Sequence, residues 1–352
     1  MTPSPHPQLL TVAREARGLT QTDLAERSGV SQGYLSKAEN GIQTMTADKL
    51  RAVADALGYS PELFSCSENV QGIDALFHRK LKTAPVGQLR QTQAEINIRR
   101  IQVRRLMQGV AVDAPLTFPR LDPEEVGGAA EVARMVRRAW KVPLGPVINL
   151  VELLEAAGGV VVSMKFATPK VSAAALWPRE DERPLFFVNE DHGAERHRFS
   201  LAHELAHVVM HTIPAPELEQ QADEFAAEFL MPERECRPQL TGGRLNLARL
   251  IDIKHYWRVA MSMVAKRAQD LGALTERQAR SLWQMLSARG FLKKEPFPIP
   301  HEQPTVLRAV IATHQTQHGY SVDDLSSLTF IQQAEFGVIF GGQPSGRRLR
   351  AV

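Results

Sequence analysis

The chain has 352 residues, 43% hydrophobic and 23% charged, with 42 Lys and Arg against 39 Asp and Glu for a net charge of +3. That length accommodates two or three domains with ample core, and the mild positive balance permits nucleic-acid binding without requiring it. No apolar run is long enough to cross a bilayer, the opening Met1 to Gln8 is Pro-rich and polar rather than leader-like, and the two cysteines, Cys66 and Cys236, lack metal-ligand spacing; a cytoplasmic protein with reduced thiols and no membrane partner is expected.

Residues 8 to 64 read as five short helices. Leu9, Leu10 and Ala13 begin the first and Gly18 ends it; Thr20 caps a second over Gln21 to Ser28. Gly29-Val30 forms a turn, Ser31 caps a third helix ending at Asn40-Gly41, Thr46 caps the fourth before Gly58, and Pro61 to Phe64 forms a last short turn. Two short helices joined by a Gly-containing turn are the signature of a helix-turn-helix. Arg14, Gly18-Leu19-Thr20-Gln21, Leu24-Ala25, Gly29-Val30-Ser31 and Leu35 to Gly41 resemble the XRE or Cro/repressor-type helix-turn-helix family over residues 7–65. The resemblance implies a third helix in the major groove of a double-stranded DNA operator, with Gln32, Gly33 and Ser36 near bases and Gln21, Tyr34 and Lys37 near phosphates. A bundle used only for protein contacts is the alternative. A homodimer would suit paired half-sites, although no heptad seam is visible.

Residues 66–128 read as a helical connector. Its helix, Gln88 to Met107, carries Arg90, Arg99, Arg100, Arg104 and Arg105 on a basic face, for which solvation is preferred over a DNA or acidic-partner contact. Pro115, Pro119 and Pro123 make the following stretch irregular. A new domain begins near Gly128, with helices over Ala130 to Trp140 and from an Asn149 cap to Ala157, then strands at Val160 to Met164, Ser172 to Trp177 and Leu185 to Val188. An edge strand here could hold a peptide through its backbone; Leu185 to Val188 is the candidate ledge, with a plain core strand the equal alternative.

The next helix contains His203-Glu204-Leu205-Ala206-His207. Residues four apart share a helix face, so His203 and His207 can each direct a ring nitrogen at one metal ion while Glu204 reaches a water beside it. Catalytic zinc takes three protein ligands; Glu219 is the best third, and Asp223, one turn later, can accept the spare ring N–H of a ligand histidine. The surrounding apolar residues imply burial, and buried His and Glu need partners that a metal provides.

Arg198 to His207, His211, and Glu219 to Pro232 resemble the ImmA/IrrE metallopeptidase family, a match extending through a helical segment from Leu245 to Gly290 and more weakly to about residue 341. The resemblance implies a minimal gluzincin-like fold, and members that act on, or pair with, XRE-type repressors in stress responses, mobile-element control and toxin–antitoxin systems. Zinc is the expected metal, with manganese the alternative. His211, His255 and Tyr256 are candidates for stabilising the oxyanion or touching substrate; for His211 a helix C-cap is the preferred role.

The expected protein is multidomain and mainly α: an all-α helix-turn-helix head at 7–65, the connector at 66–128, an α+β gluzincin-like metallopeptidase domain at 129–240, a helical subdomain at 241–300 and a C-terminal region at 301–352. In that last region helices are expected over Thr305 to His314 and Val322 to Leu328, then a disordered tail at Arg347 to Arg350. Function is expected to be cleavage of a repressor or antitoxin by a DNA-associated zinc peptidase. A non-cleaving XRE-type regulator or antitoxin whose peptidase-like domain senses a ligand or binds a partner is the alternative, and a general cytosolic peptidase a weaker third.

Overall fold

In a computed structural model the Thr20 hydroxyl accepts the Asp23 N–H at 3.1 Å while the Asp23 carboxylate accepts the Thr20 N–H at 2.8 Å, so a reciprocal capping box starts the second helix where the sequence places it. The structure describes residues 6–66, 70, 72, 84–177, 182–211, 217–341 and 349–351. They fall into two compact units, one gathering Met1–Asp113, Met164–Val171 and Thr305–Val352, the other Ala114–Ser163 and Ser172–Pro304. No helix among the described residues is long and apolar enough to cross a membrane.

The first unit opens with α1 (Pro7–Ala16), α2 (Gln21–Ser28), α3 (Gln32–Glu39) and α4 (Ala47–Leu57), followed by a 3-10 turn over Pro61–Ser65. Leu9, Leu10, Leu24, Leu35, Val53, Leu57 and Phe64 are buried as its core. Gly29, at φ 70°, turns α2 toward α3 in a conformation that costs a side-chain-bearing residue energy. Arg14 on α1 grips both carboxylate oxygens of Glu39 on α3, at 2.6 and 2.9 Å.

Next come α5 (Val86–Met107) and the short β1 (Val110–Ala111), and α5 packs on α1. The basic face expected to be solvated is instead largely taken into the unit. Arg100 is buried, Arg99 lies over the Phe340 ring, and Arg105 donates to the Leu328 carbonyl at 2.6 Å; Arg90 alone of the five is exposed. The reason is apolar residues all round the helix: Ile96, Ile98, Ile101, Val103 and Leu106 form no single stripe, so no side is left for water.

Burial lifts the Glu95 carboxyl on α5 to about 7, against the opposing pull of the Gln91 amide and the Arg99 guanidinium. The folded chain therefore holds a proton that the unfolded chain releases above 4.5, and this group's contribution to stability declines as pH rises from there to about 7. Glu95→Gln is expected to stabilise the protein by about 2 kcal/mol at pH 8 and hardly at all at about pH 4. Thermal melts at the two pH values check this; an unchanged midpoint at pH 8 contradicts it.

The second unit contains α6 (Pro123–Val126), α7 (Ala129–Ala139), α8 (Leu150–Ala156), β2 (Val160–Met164), β3 (Ala173–Leu176), β4 (Leu185–Asn189) and α9 (Ala194–Met210). It continues with α10 (Leu218–Leu230), α11 (Glu233–Thr241), α12 (Leu247–Trp257), α13 (Met261–Asp270) and α14 (Glu276–Ala288). The sheet order is β2-β4-β3, and β3 runs antiparallel to β4 with Ala173 opposite Val188 and Leu176 opposite Leu185. The candidate ledge is thereby corrected: β4 is the central strand, paired on both sides and buried at all five positions, so its backbone has no edge to offer. The edge beside α9 is β3, whose small Ala side chains let the helix approach.

Leu201, Ala202, Leu205, Ala206, Val208 and Val209 make α9 buried along most of its length, against the sheet and α10. Two charged clusters, each of three residues, are also set into the unit. The Lys254 ammonium, wholly buried, meets Glu195 at 2.5 Å and Glu295 at 2.8 Å, and Glu228 takes Arg134 at 2.9 Å together with Arg267.

The chain ends back in the first unit with α15 (Val306–Thr316), α16 (Val322–Leu328), α17 (Gln333–Phe340) and β5 (Arg350–Ala351). Arg17 holds both oxygens of Glu335 at 2.5 and 2.8 Å, and the Ser60 N–H reaches the Phe330 carbonyl at 2.9 Å. The tail expected to be disordered is in part a strand: Ala351 stands opposite Val110 and Arg350 opposite Ala111, a backbone pairing that leaves no periodic trace in so short a stretch. Arg347 and Arg348, like Met1 to Pro5 of the polar N-terminus and residues 73–83 of the connector, lie outside the described residues.

Candidate metal centre and helix-turn-helix face

Helix α9 presents His203, Glu204 and His207, and α10, packed against it, presents Glu219 and Asp223. His203 Nε2 and His207 Nε2 are 3.2 Å apart, and each lies 3.6 Å from a Glu219 carboxylate oxygen. Ligand atoms about 2.0–2.1 Å from a tetrahedral zinc ion stand roughly 3.4 Å from one another, so the three donors fit one ion. They are the one such group of three His, Cys, Asp or Glu donors among the described residues.

The other ring nitrogens are engaged elsewhere. His203 Nδ1 lies 2.9 Å from Asp223 Oδ1, as the sequence spacing suggests, and His207 Nδ1 lies 2.8 Å from His211 Nδ1. A proton on each Nδ1 leaves both Nε2 lone pairs converging on one point, an arrangement that calls for a cation. Burial opposes charge on His203, but its hydrogen bond to the Asp223 carboxylate and the nearby Glu219 and Glu204 carboxylates prevail and raise its pKa to about 9. Glu219 is driven the other way: burial would raise it, yet His203 and His207 hold its carboxyl far below the usual carboxylate range. Metal and proton compete for the same lone pairs.

Glu204 is buried, its Oε2 accepts the Ala175 N–H of β3 at 3.0 Å, which ties the carboxylate to the sheet edge, and its charge acts on His203. His211 is the C-cap of α9, its N–H bonded to the His207 carbonyl at 3.1 Å. His255 faces the Phe297 ring, and Tyr256, 51% exposed, packs on Trp257 with its hydroxyl near Gly145; none of their described contacts is with the three donors. Sequence reasoning missed Ala175, whose role lies in its backbone, and Gln221, whose Oε1 sits 3.0 Å from His211 Nε2.

On the helix-turn-helix, Gln32, Gly33 and Lys37 are exposed on α3, and Ser36 is half-buried. Gln32 donates to Gln21 at 2.8 Å and Gln21 donates to Glu39 at 2.9 Å, so the two amides are held in line by the Arg14–Glu39 pair. The Tyr34 hydroxyl donates to the Thr44 carbonyl at 3.1 Å and its ring lies under the Lys49 ammonium, bracing the turn between α3 and α4.

Fold and site together define a protein with a helix-turn-helix head and a mixed α+β domain of peptidase type. Residues 12–64 match the helix-turn-helix family model and residues 154–269 the IrrE N-terminal-like domain, so the chain carries an N-terminal XRE-type helix-turn-helix and a C-terminal IrrE/ImmA-like peptidase domain. Among curated relatives, an uncharacterised HTH-type transcriptional regulator of Mycobacterium tuberculosis is 46% identical over 50 residues, covering 14% of this chain and 36% of the relative. One from Sinorhizobium fredii is 47% identical over 47 residues, 13% of this chain and 61% of the relative. The chain thus spans about a third of the mycobacterial protein's length and three fifths of the rhizobial one's.

Proposed function

We propose that the protein is a cytoplasmic, DNA-bound metalloendopeptidase that cuts an XRE-type repressor or antitoxin in a stress or mobile-element response. In this reading residues 7–65 hold a double-stranded operator, and residues 129–240, closed on one side by the helical 241–300, perform the hydrolysis. The observation that carries it is the placing of Glu204 beside three convergent donors and against the edge strand. A carboxylate there is dispensable for holding a metal and is the group hydrolysis needs.

His203, His207 and Glu219 would hold zinc, or manganese in its place. Zinc bound there would supply Lewis acidity toward water and toward a substrate carbonyl. Glu204 takes the proton from the attacking water and later delivers it to the leaving amine. Asp223 keeps the His203 ring turned inward. Along β3, Ala175 faces the side opposite β4 with its N–H held by Glu204, and an extended peptide would run beside that edge. Tethering to an operator raises the local concentration of a repressor bound nearby, which favours a restricted substrate over general proteolysis.

The hydrolytic half of this reading is tested by offering the chain an XRE-type repressor and asking whether it is cut only when Glu204 is present. The DNA half predicts that the full chain selects a discrete duplex from a randomised pool. Gln32→Ala should then cost about 1–3 kcal/mol and relax base preference at one position in each half-site, whereas Lys37→Ala should weaken all sequences alike. Equal binding of every duplex would leave a head used for protein contacts, including a homodimer.

A further inference from the structure

We propose that His211 and Gln221 form a relay that fixes the proton position and direction of the ligand ring of His207, making His211 a positioning residue for the metal. The inference rests on the metal-site reading above and adds the support of its second histidine.

His203, His207 and His211 lie four residues apart along one stripe of α9, with successive ring centroids 4.9 Å apart. His207 Nε2 faces His203 and Glu219, so a ring ready to ligate carries its proton on Nδ1. That Nδ1 is 2.8 Å from His211 Nδ1, and a hydrogen bond between two ring nitrogens needs one donor and one acceptor. Gln221 decides which is which. Its Oε1, an acceptor, lies 3.0 Å from His211 Nε2 and draws the His211 proton there, leaving a lone pair on His211 Nδ1. His207 Nδ1–H then donates to His211, and His207 Nε2 turns its lone pair toward the donor cluster. The main chain holds the same pair in place, because the His211 N–H caps the His207 carbonyl at 3.1 Å.

Helix α10 therefore acts on both ligand histidines and also contributes a donor of its own. Glu219 joins the cluster, Asp223 supports His203 directly with a carboxylate, and Gln221 supports His207 through a neutral imidazole. The two rings thus differ in the charge behind them.

The test measures zinc affinity of the full chain by competition with a chromogenic chelator, and ring tautomers by histidine nitrogen NMR of the zinc-loaded protein. His211→Phe is expected to weaken zinc binding by about 10- to 100-fold, and His211→Gln, which keeps an acceptor oxygen, to recover most of that loss. The spectrum should place the proton on Nδ1 of His207 and on Nε2 of His211, and Gln221→Leu should release the His211 preference in a folded protein even if His211→Phe does not fold. Zinc affinity unchanged in His211→Phe, or a His211 proton on Nδ1, overturns the relay while leaving the metal site standing. A wild type that binds no zinc overturns both.

Discussion

Glu204→Gln is expected to retain zinc at wild-type stoichiometry and to lower hydrolysis by about a hundredfold to ten-thousandfold, the range over which a positioned general base acts. The amide is the same size and keeps an oxygen to accept the Ala175 N–H, so the 3.0 Å contact with β3 survives. What disappears is the ability to take and return a proton. His203, His207 and Glu219 are untouched, so chelator competition should give the wild-type zinc affinity. Loss of zinc along with activity would mean that Glu204 is itself a ligand or holds the helix together, and would remove it from the role of base.

Lys254→Ala is expected to lower stability by about 3–5 kcal/mol, because it strands two carboxylates that share one buried cation. The ammonium is wholly buried and lies 2.5 Å from Glu195 and 2.8 Å from Glu295. Burial alone would raise the Glu195 carboxyl, yet the Lys254 contact and the Ile299 N–H keep it below the usual range. A depressed carboxylate contributes stability that is present above the ordinary carboxylate pKa and lost as pH falls through the folded value, so the wild-type advantage over Lys254→Ala should shrink in acid. Glu195 sits two turns ahead of His203 on α9, which links this pair to the seating of the metal helix. Urea titrations at neutral and acid pH check both points. A loss of under about 1 kcal/mol at neutral pH would place the pair among ion pairs of little consequence. Restoration by Lys254→Met with Glu195→Gln and Glu295→Gln together would show that the cost lies in unpaired charge.

The elements legible in the sequence were those whose signals are local. The Thr20 and Asn149 caps placed their helices closely, and the four-residue spacing of His203 and His207 puts them on one face of α9, where the structure brings them together with Glu219 and sets Asp223 behind the His203 ring. What escaped depends on partners far along the chain. Arg99, Arg100 and Arg105 read as a solvated face because nothing near them in sequence announces that α15, α16 and the ring of Phe340 cover α5. Leu185–Asn189 and Ala173–Leu176 are both short apolar strands, and only their pairing order makes one central and the other an edge. α17 went unrecognised because Phe336, Val338, Ile339 and Phe340 form a near-continuous apolar run around Gly337, without helical period. The Gln221–His211–His207 chain joins two helices, and no spacing rule reports which ring nitrogen faces which amide oxygen.

The central claim, that this site cuts a partner repressor, is tested most directly by incubating wild type and Glu204→Gln with the XRE-type repressor encoded nearest this protein's gene, in zinc or manganese, and reading the products by mass spectrometry. The predicted result is a discrete pair of fragments, made by the wild type alone, that maps a single cut site. An intact repressor under either metal, from a protein that still binds DNA sequence-specifically, contradicts the account and leaves a regulator whose peptidase-like domain binds without cutting.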